Sequence, residues 1–174
     1  MQESPLVSIV MGSDSDLPVM EGAVELLREF GVAFEAGVLS AHRSPDEAHA
    51  FASGAAERGV KVIIAAAGGA AHLAGVVASA ALIPVIGVPM PTDRAGGIDS
   101  LLSTVQMPAG VPVATTGMGN SGAPNAALLA VRILALCDEG LAGALKEYKC
   151  RMRDGVLEAD KRVKKWLADN TGQA

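Results

Sequence analysis

Five short runs rich in Val, Ile and Ala, at Leu6 to Met11, Val32 to Leu39, Lys61 to Ala67, Pro84 to Pro89 and Val111 to Thr115, alternate with stretches whose apolar residues return at helical spacing. Strand and helix in regular alternation is the signature of parallel βαβ units. The fold expected is a three-layer α/β domain, a flavodoxin-like or Rossmann-like parallel sheet with helices on both faces, over about residues 6–136. A charged helical extension, one helix or a pair, is predicted from about Leu141 to Ala168. At 174 residues the chain suits a single domain with one core. No linker, repeat or low-complexity tract divides it.

Helix starts can be read locally. Leu17, Met20, Val24 and Leu27 share one helical face, and Asp16 just ahead is placed to cap the free N–H groups. In Ser44-Pro45-Asp46-Glu47 the serine reads as the cap, proline as the first helical residue and glutamate as the third residue beyond the cap. A third helix opens at His72, a fourth covers Gly97 to Val105, and a fifth covers about Ala123 to Leu136.

Composition narrows the function. Half of the residues are hydrophobic but only 3% are aromatic, so the core must be built from small aliphatic side chains, which also suit subunit packing. A formal charge of -5 and few aromatic rings argue against nucleic acid as a partner. Cys137 and Cys150 form neither a zinc knuckle nor a Cys-x-x-Cys pair and read as reduced thiols. The uncharged stretch from Val62 to Leu82 is long enough for a bilayer, but β-branched residues, a glycine turn and an Ala-rich helix fit it better. Met1-Gln2-Glu3-Ser4-Pro5 does not resemble a signal peptide, and a cytoplasmic location with no membrane partner is the expectation.

Three blocks carry chemistry. Gly12-Ser13-Asp14-Ser15-Asp16 offers backbone N–H groups, two hydroxyls and a helix start, which suits a phosphate or a polyol. It also reads as a plain capping turn, and its two aspartates would repel a phosphate unless one faces away. Ser40-Ala41-His42-Arg43 ends the second run. An imidazole both gives and takes a proton near neutral pH, and a guanidinium grips phosphate through two parallel bonds. Arg43 could instead pair with Asp46 or Glu47, and His42 could be structural. His49 falls mid-helix and reads as a surface residue. Gly68-Gly69-Ala70-Ala71-His72-Leu73 could present N–H groups to a carboxylate or CO2, or could be a close-packed turn without a ligand. No histidines stand at i, i+4 spacing and no carboxylate cluster joins them, so neither a catalytic metal nor a cofactor is expected.

These three blocks, with Gln106-Met107-Pro108 and Asn125-Ala126-Ala127-Leu128-Leu129-Ala130, resemble the N5-carboxyaminoimidazole ribonucleotide mutase (PurE) family of purine biosynthesis over about Leu6 to Leu136. Ser-Ala-His-Arg and Gly-Gly-x-Ala-His-Leu look like the mutase class, since the direct carboxylase class carries Ser-Ala-His-Lys and another third loop. Ala74 departs from the pattern, standing where the family usually has proline. The resemblance implies that Ser13 and Ser15 hold the 5′-phosphate, that Asp16 accepts from the ribose hydroxyls, and that His42 is acid and then base. It places Gly12, Ser40, Ala41, Arg43, Gly68, Gly69, Ala70, Ala71, His72 and Leu73 around a small ribonucleotide. It further implies a homo-octamer in which the C-terminal helices, about 138–169, pack on neighbouring subunits. Direct carboxylation by CO2 and a non-catalytic nucleotide-binding module are the alternatives, the second because this scaffold hosts many ligand sensors.

Overall fold

The computed structural model of the chain describes residues 4–171. Met1 to Glu3, the start of the segment read above for a leader, lie outside them. The described residues fall into two compact units, 4–134 and 135–171.

In the first unit the order is β1 (Val7–Met11), α1 (Leu17–Glu29), β2 (Phe34–Val38), α2 (Pro45–Ser53), β3 (Val62–Ala67), α3 (Leu73–Ala80), β4 (Val85–Pro89), α4 (Ile98–Val105), β5 (Ala114–Thr115) and α5 (Gly119–Leu134). The strands form one parallel sheet in the order β2-β1-β3-β4-β5, the flavodoxin-like arrangement. β1, β3 and β4 are buried along their whole length, as central strands of a parallel sheet are, and Ser8 is the one polar side chain among them. Successive residues face opposite sides of the sheet. Val10, Ile63, Ala65, Ala67 and Val85 therefore meet Ala52, Leu73, Ala74 and Val77 of α2 and α3 in one core layer. The helices α1 and α5 pack on each other, with α5 also against β3 and β4.

Two strands are shorter than their apolar runs. Val32 is claimed by the end of α1, where its N–H donates to the Leu27 carbonyl at 2.9 Å behind Gly31, whose φ is +66°. β2 starts only at Phe34 and is an edge strand, exposed over its last three residues. β5 pairs with β4 through Ala114 and Thr115 alone, because Pro112 has no N–H to give to a ladder. α5 begins four residues before the expected Ala123 and carries Pro124 inside it, with the proline ring packed against Gly22 of α1.

The second unit is a single helix, α6 (Glu139–Thr171), rather than a pair. None of its 33 residues is buried. Lys161 and Lys164 pair along it with Glu158 and Asp160, each at 2.7 Å, so much of the basic tail is a solvated ion-paired surface. No described helix is long and apolar enough to cross a membrane, and Val62 to Leu82 divides into β3, the glycine turn and α3.

Candidate active site

The strand register brings the loops after β1, β2, β3 and β4 to one edge of the sheet. Met11 lies opposite Val38 on one side and Ala66 on the other, and Ala67 lies opposite Pro89. The ladder carries on into the loops. Gly12 N–H donates to the Ala66 carbonyl, Leu39 N–H to Met11 and Met90 N–H to Ala67, each at 2.9 Å. Since β1 leads outward to β2 and the chain then returns to β3, the gap between these loops is the topological switch point where open α/β sheets bind ligands. A cavity of about 300 Å³ occupies it, at the lower end of small-molecule sites.

The first loop supplies Gly12, Ser13, Ser15 and Asp16 to the wall. It folds as a 3₁₀ turn, Asp14–Asp16, with Ser13 as its cap. Ser13 Oγ accepts the Ser15 N–H at 3.2 Å, and the Asp16 carboxylate accepts the Ser13 N–H at 3.3 Å. Asp16 precedes α1 but its side chain makes no cap bond to that helix, because it is spent on this reciprocal turn. Asp14 is exposed and off the cavity wall, although its carboxylate accepts from the Ser13 hydroxyl at 3.2 Å. Burial opposes ionisation of Asp16 and raises its pKa above the usual 3.8; the Ser13 N–H works against that shift and the Asp14 charge adds to it.

The second loop contributes Ser40, Ala41 and His42. Ser44 does not cap α2 with its side chain. Its hydroxyl instead closes the loop, donating to the Ser40 carbonyl and accepting the Ser40 N–H, both at 3.1 Å. Arg43 is exposed, does not line the cavity and does not pair with Asp46 or Glu47. Its Nε donates to Ser40 Oγ at 3.2 Å and its Nη2 to the Gly12 carbonyl at 3.1 Å, so it ties the second loop to the first.

From the third loop, Gly68, Ala70, His72 and Leu73 line the cavity. Ala71 is buried beneath them, and Gly69, with φ of +68°, faces a neighbouring depression. Several N–H groups of this turn are already engaged: Gly69 with Ser100 Oγ, Ala71 with the Gly69 carbonyl, and His72 with the Ala70 carbonyl. Ala74 is buried in the first turn of α3, which forms without the family's proline. His72 directly precedes that helix, and its Nδ1 lies 2.8 Å from Nε2 of His42. The rings meet edge to face with centroids 4.9 Å apart. One of the two nitrogens therefore carries the shared hydrogen, and the tautomers decide which.

Sequence reasoning passed over Ala67, Met90 and Pro91, which complete the wall. The signal was available, since Met90 and Pro91 follow the fourth apolar run and the carboxyl ends of neighbouring strands share one crevice.

Taken together, three loops with hydroxyls, N–H groups and a histidine pair surround a polar cavity suited to an anionic ligand and to proton transfer. The sequence profile of a family described as AIR carboxylase matches residues 6–155. Among curated relatives, the N5-carboxyaminoimidazole ribonucleotide mutase of Thermotoga maritima is 55% identical over 159 residues, 91% of this chain and 92% of that one. The enzyme of the same name from Pyrococcus horikoshii is 53% identical, covering 92% of this chain and 90% of its own. That of Bacillus subtilis is 54% identical over 89% of this chain and 96% of its own. A crystal structure of Treponema denticola PurE superposes with a TM-score of 0.81 at 31% identity, covering 92% of this chain and 99% of that one. With its loops, its sheet order and most of its length accounted for in this way, the chain belongs to the AIR carboxylase family.

Proposed function

We propose that the chain is an N5-carboxyaminoimidazole ribonucleotide mutase, an isomerase of purine biosynthesis that moves a carboxylate from the exocyclic N5 to ring carbon C4. The observation that carries the reading is a histidine at the mouth of a hydroxyl- and N–H-lined cavity, in a chain more than half identical to enzymes of that name.

In this reading Ser13 and Ser15 receive the 5′-phosphate, Arg43 braces that loop and adds positive charge, and Asp16 accepts from the ribose hydroxyls. Protonated His42 gives its proton to N5 as the N5–carboxylate bond breaks, releasing CO2 and the free aminoimidazole. C4 then attacks CO2, forming the new C–C bond, and neutral His42 removes the C4 proton to restore the aromatic ring. One proton leaves the imidazole and one returns, so the enzyme ends as it began. General acid–base transfer of this kind contributes about 10²- to 10⁴-fold, and holding CO2 against the ring contributes through proximity. No cofactor enters the cycle.

Assembly belongs to the same proposal. The unburied α6 and the small-residue composition suit a homo-oligomer, an octamer on the family's pattern, with α6 covered by neighbouring copies in the cytoplasm. Turnover measured with the N-carboxylated ribonucleotide, against the free aminoimidazole ribonucleotide plus bicarbonate, tests the reaction. The mutase converts the first without added bicarbonate, and a preference for the second would identify a direct carboxylase. His42→Asn should bind the ribonucleotide with near-parental affinity and lose about 10²-fold or more in kcat; substantial residual turnover would remove His42 from the acid–base role.

A further inference from the structure

The glycine turn after β3 is held by groups outside its own loop. Gly69 N–H donates to Ser100 Oγ at 2.9 Å, and the Gly69 carbonyl accepts from Ser103 Oγ at 3.3 Å. Both serines lie on α4. Ser100 is completely buried, whereas the Ser103 hydroxyl is shared with the Asp99 carbonyl at 2.8 Å. The same helical turn secures the loop after β4. Asp99 accepts from Thr92 Oγ1 at 2.9 Å, and Thr92 in turn accepts the Gly97 N–H at 3.3 Å, steadying the segment that follows Met90 and Pro91.

Gly69 is thus held through both its N–H and its carbonyl, by residues that do not line the cavity. Its neighbours are arranged differently. Gly68 and Ala70 line both the cavity and the neighbouring depression, and among the described residues their N–H groups have no hydrogen-bond partner. Gly69 holds a left-handed φ of +68°, a setting that glycine adopts freely and could equally leave, so something must select it. Buried Ser100 supplies that selection, since its oxygen offers the Gly69 N–H an acceptor that a turn of different geometry would have to give up.

We infer that Ser100, assisted by Ser103, is a positioning residue for carboxylate transfer: it fixes the glycine turn so that the Gly68 and Ala70 N–H groups hold CO2 beside the ring between bond breaking and bond making. The inference rests on the mutase reading, and it concerns retention of the gas rather than binding of the nucleotide. No atom of either serine lies on the cavity wall.

The test is Ser100→Ala, assayed with substrate carrying an isotopically labelled carboxylate in unlabelled bicarbonate. The variant should lose roughly tenfold to a hundredfold in kcat, the scale of a small misplacement, with KM for the ribonucleotide unchanged within about twofold. Label should wash out of the product, and free aminoimidazole ribonucleotide should be released alongside it. A purely structural role would lower the folded fraction and leave label retention per turnover at the parental value, and that result overturns the inference. Should Ser100→Ala fail to fold, Ser103→Ala decides, with the same washout in weaker form as the expectation and parental retention as the refutation. A parent that does not convert the carboxylated substrate sinks the mutase reading and this inference together. An active parent with an unaltered Ser100→Ala variant sinks the inference alone.

Discussion

Asp16, on the cavity wall, shows how a buried carboxylate can oppose the fold that carries it. Burial raises its pKa, so the folded chain holds this proton more tightly than the unfolded chain does. By linkage, the stability it influences is highest below the unfolded value of 3.8 and falls as pH rises through the folded value. At neutral pH the ionised carboxylate therefore favours folding less than its protonated form would. Asp16→Asn keeps an acceptor for the Ser13 N–H and removes the charge. The variant should be more stable than its parent at neutral pH, with the difference vanishing at the acid end of the carboxylate range, as read from urea unfolding followed by far-UV circular dichroism. Its affinity for the ribonucleotide should fall by about tenfold or more, the scale of losing a hydrogen bond to a charged group. A variant that is less stable at neutral pH would contradict this account. Other residue-scale facts were beyond the sequence. That His42 and His72 share a hydrogen, and that Arg43 reaches the Gly12 carbonyl, depend on which loops the sheet order places side by side.

Among elements, the order and kind of nearly all could be read from the chain, because β1, β3 and β4 are apolar runs broken only by Ser8 in β1 and the sheet buries them on both faces. Their limits were less legible. Pro112 stops β5 early, Val32 goes to the end of α1, and Ser44 turns from capping α2 to closing the Ser40 loop. Each is a competition between two hydrogen-bond partners, and local pattern does not say which partner the fold brings near. The contact between α4 and β4 was invisible for a related reason. A Cβ on Gly87 would stand 2.4 Å from Thr104 Cγ2 and 3.0 Å from Val113 Cγ1, so the missing side chain is what lets the helix approach the strand. Gly87→Ala should destabilise the first unit by about 1–3 kcal/mol in urea unfolding, and a neutral result would mean that α4 is free to shift. Because α4 also carries Ser100, the same variant should disturb turnover more than nucleotide binding.

At the scale of the whole molecule, α6 is the long helix without a buried residue. A helix that buries none of its residues draws little stability from packing within its own chain, and isolated helices are marginal in water. Met152, Val156, Val163 and Trp166 are nevertheless exposed along it. If neighbouring copies cover these side chains, a chain ending at residue 138 should sediment as a smaller species than the parent while its parallel sheet stays folded. An unchanged oligomer would place the subunit contacts entirely in the first unit.

The distribution of chromophores has a practical consequence. Trp166 and Tyr148 are the chain's single tryptophan and single tyrosine, and both belong to α6. Intrinsic fluorescence therefore reports on the surroundings of α6. A cooperative emission change on dilution or heating would record a change around one indole of α6, and it should not be mistaken for melting of the first unit.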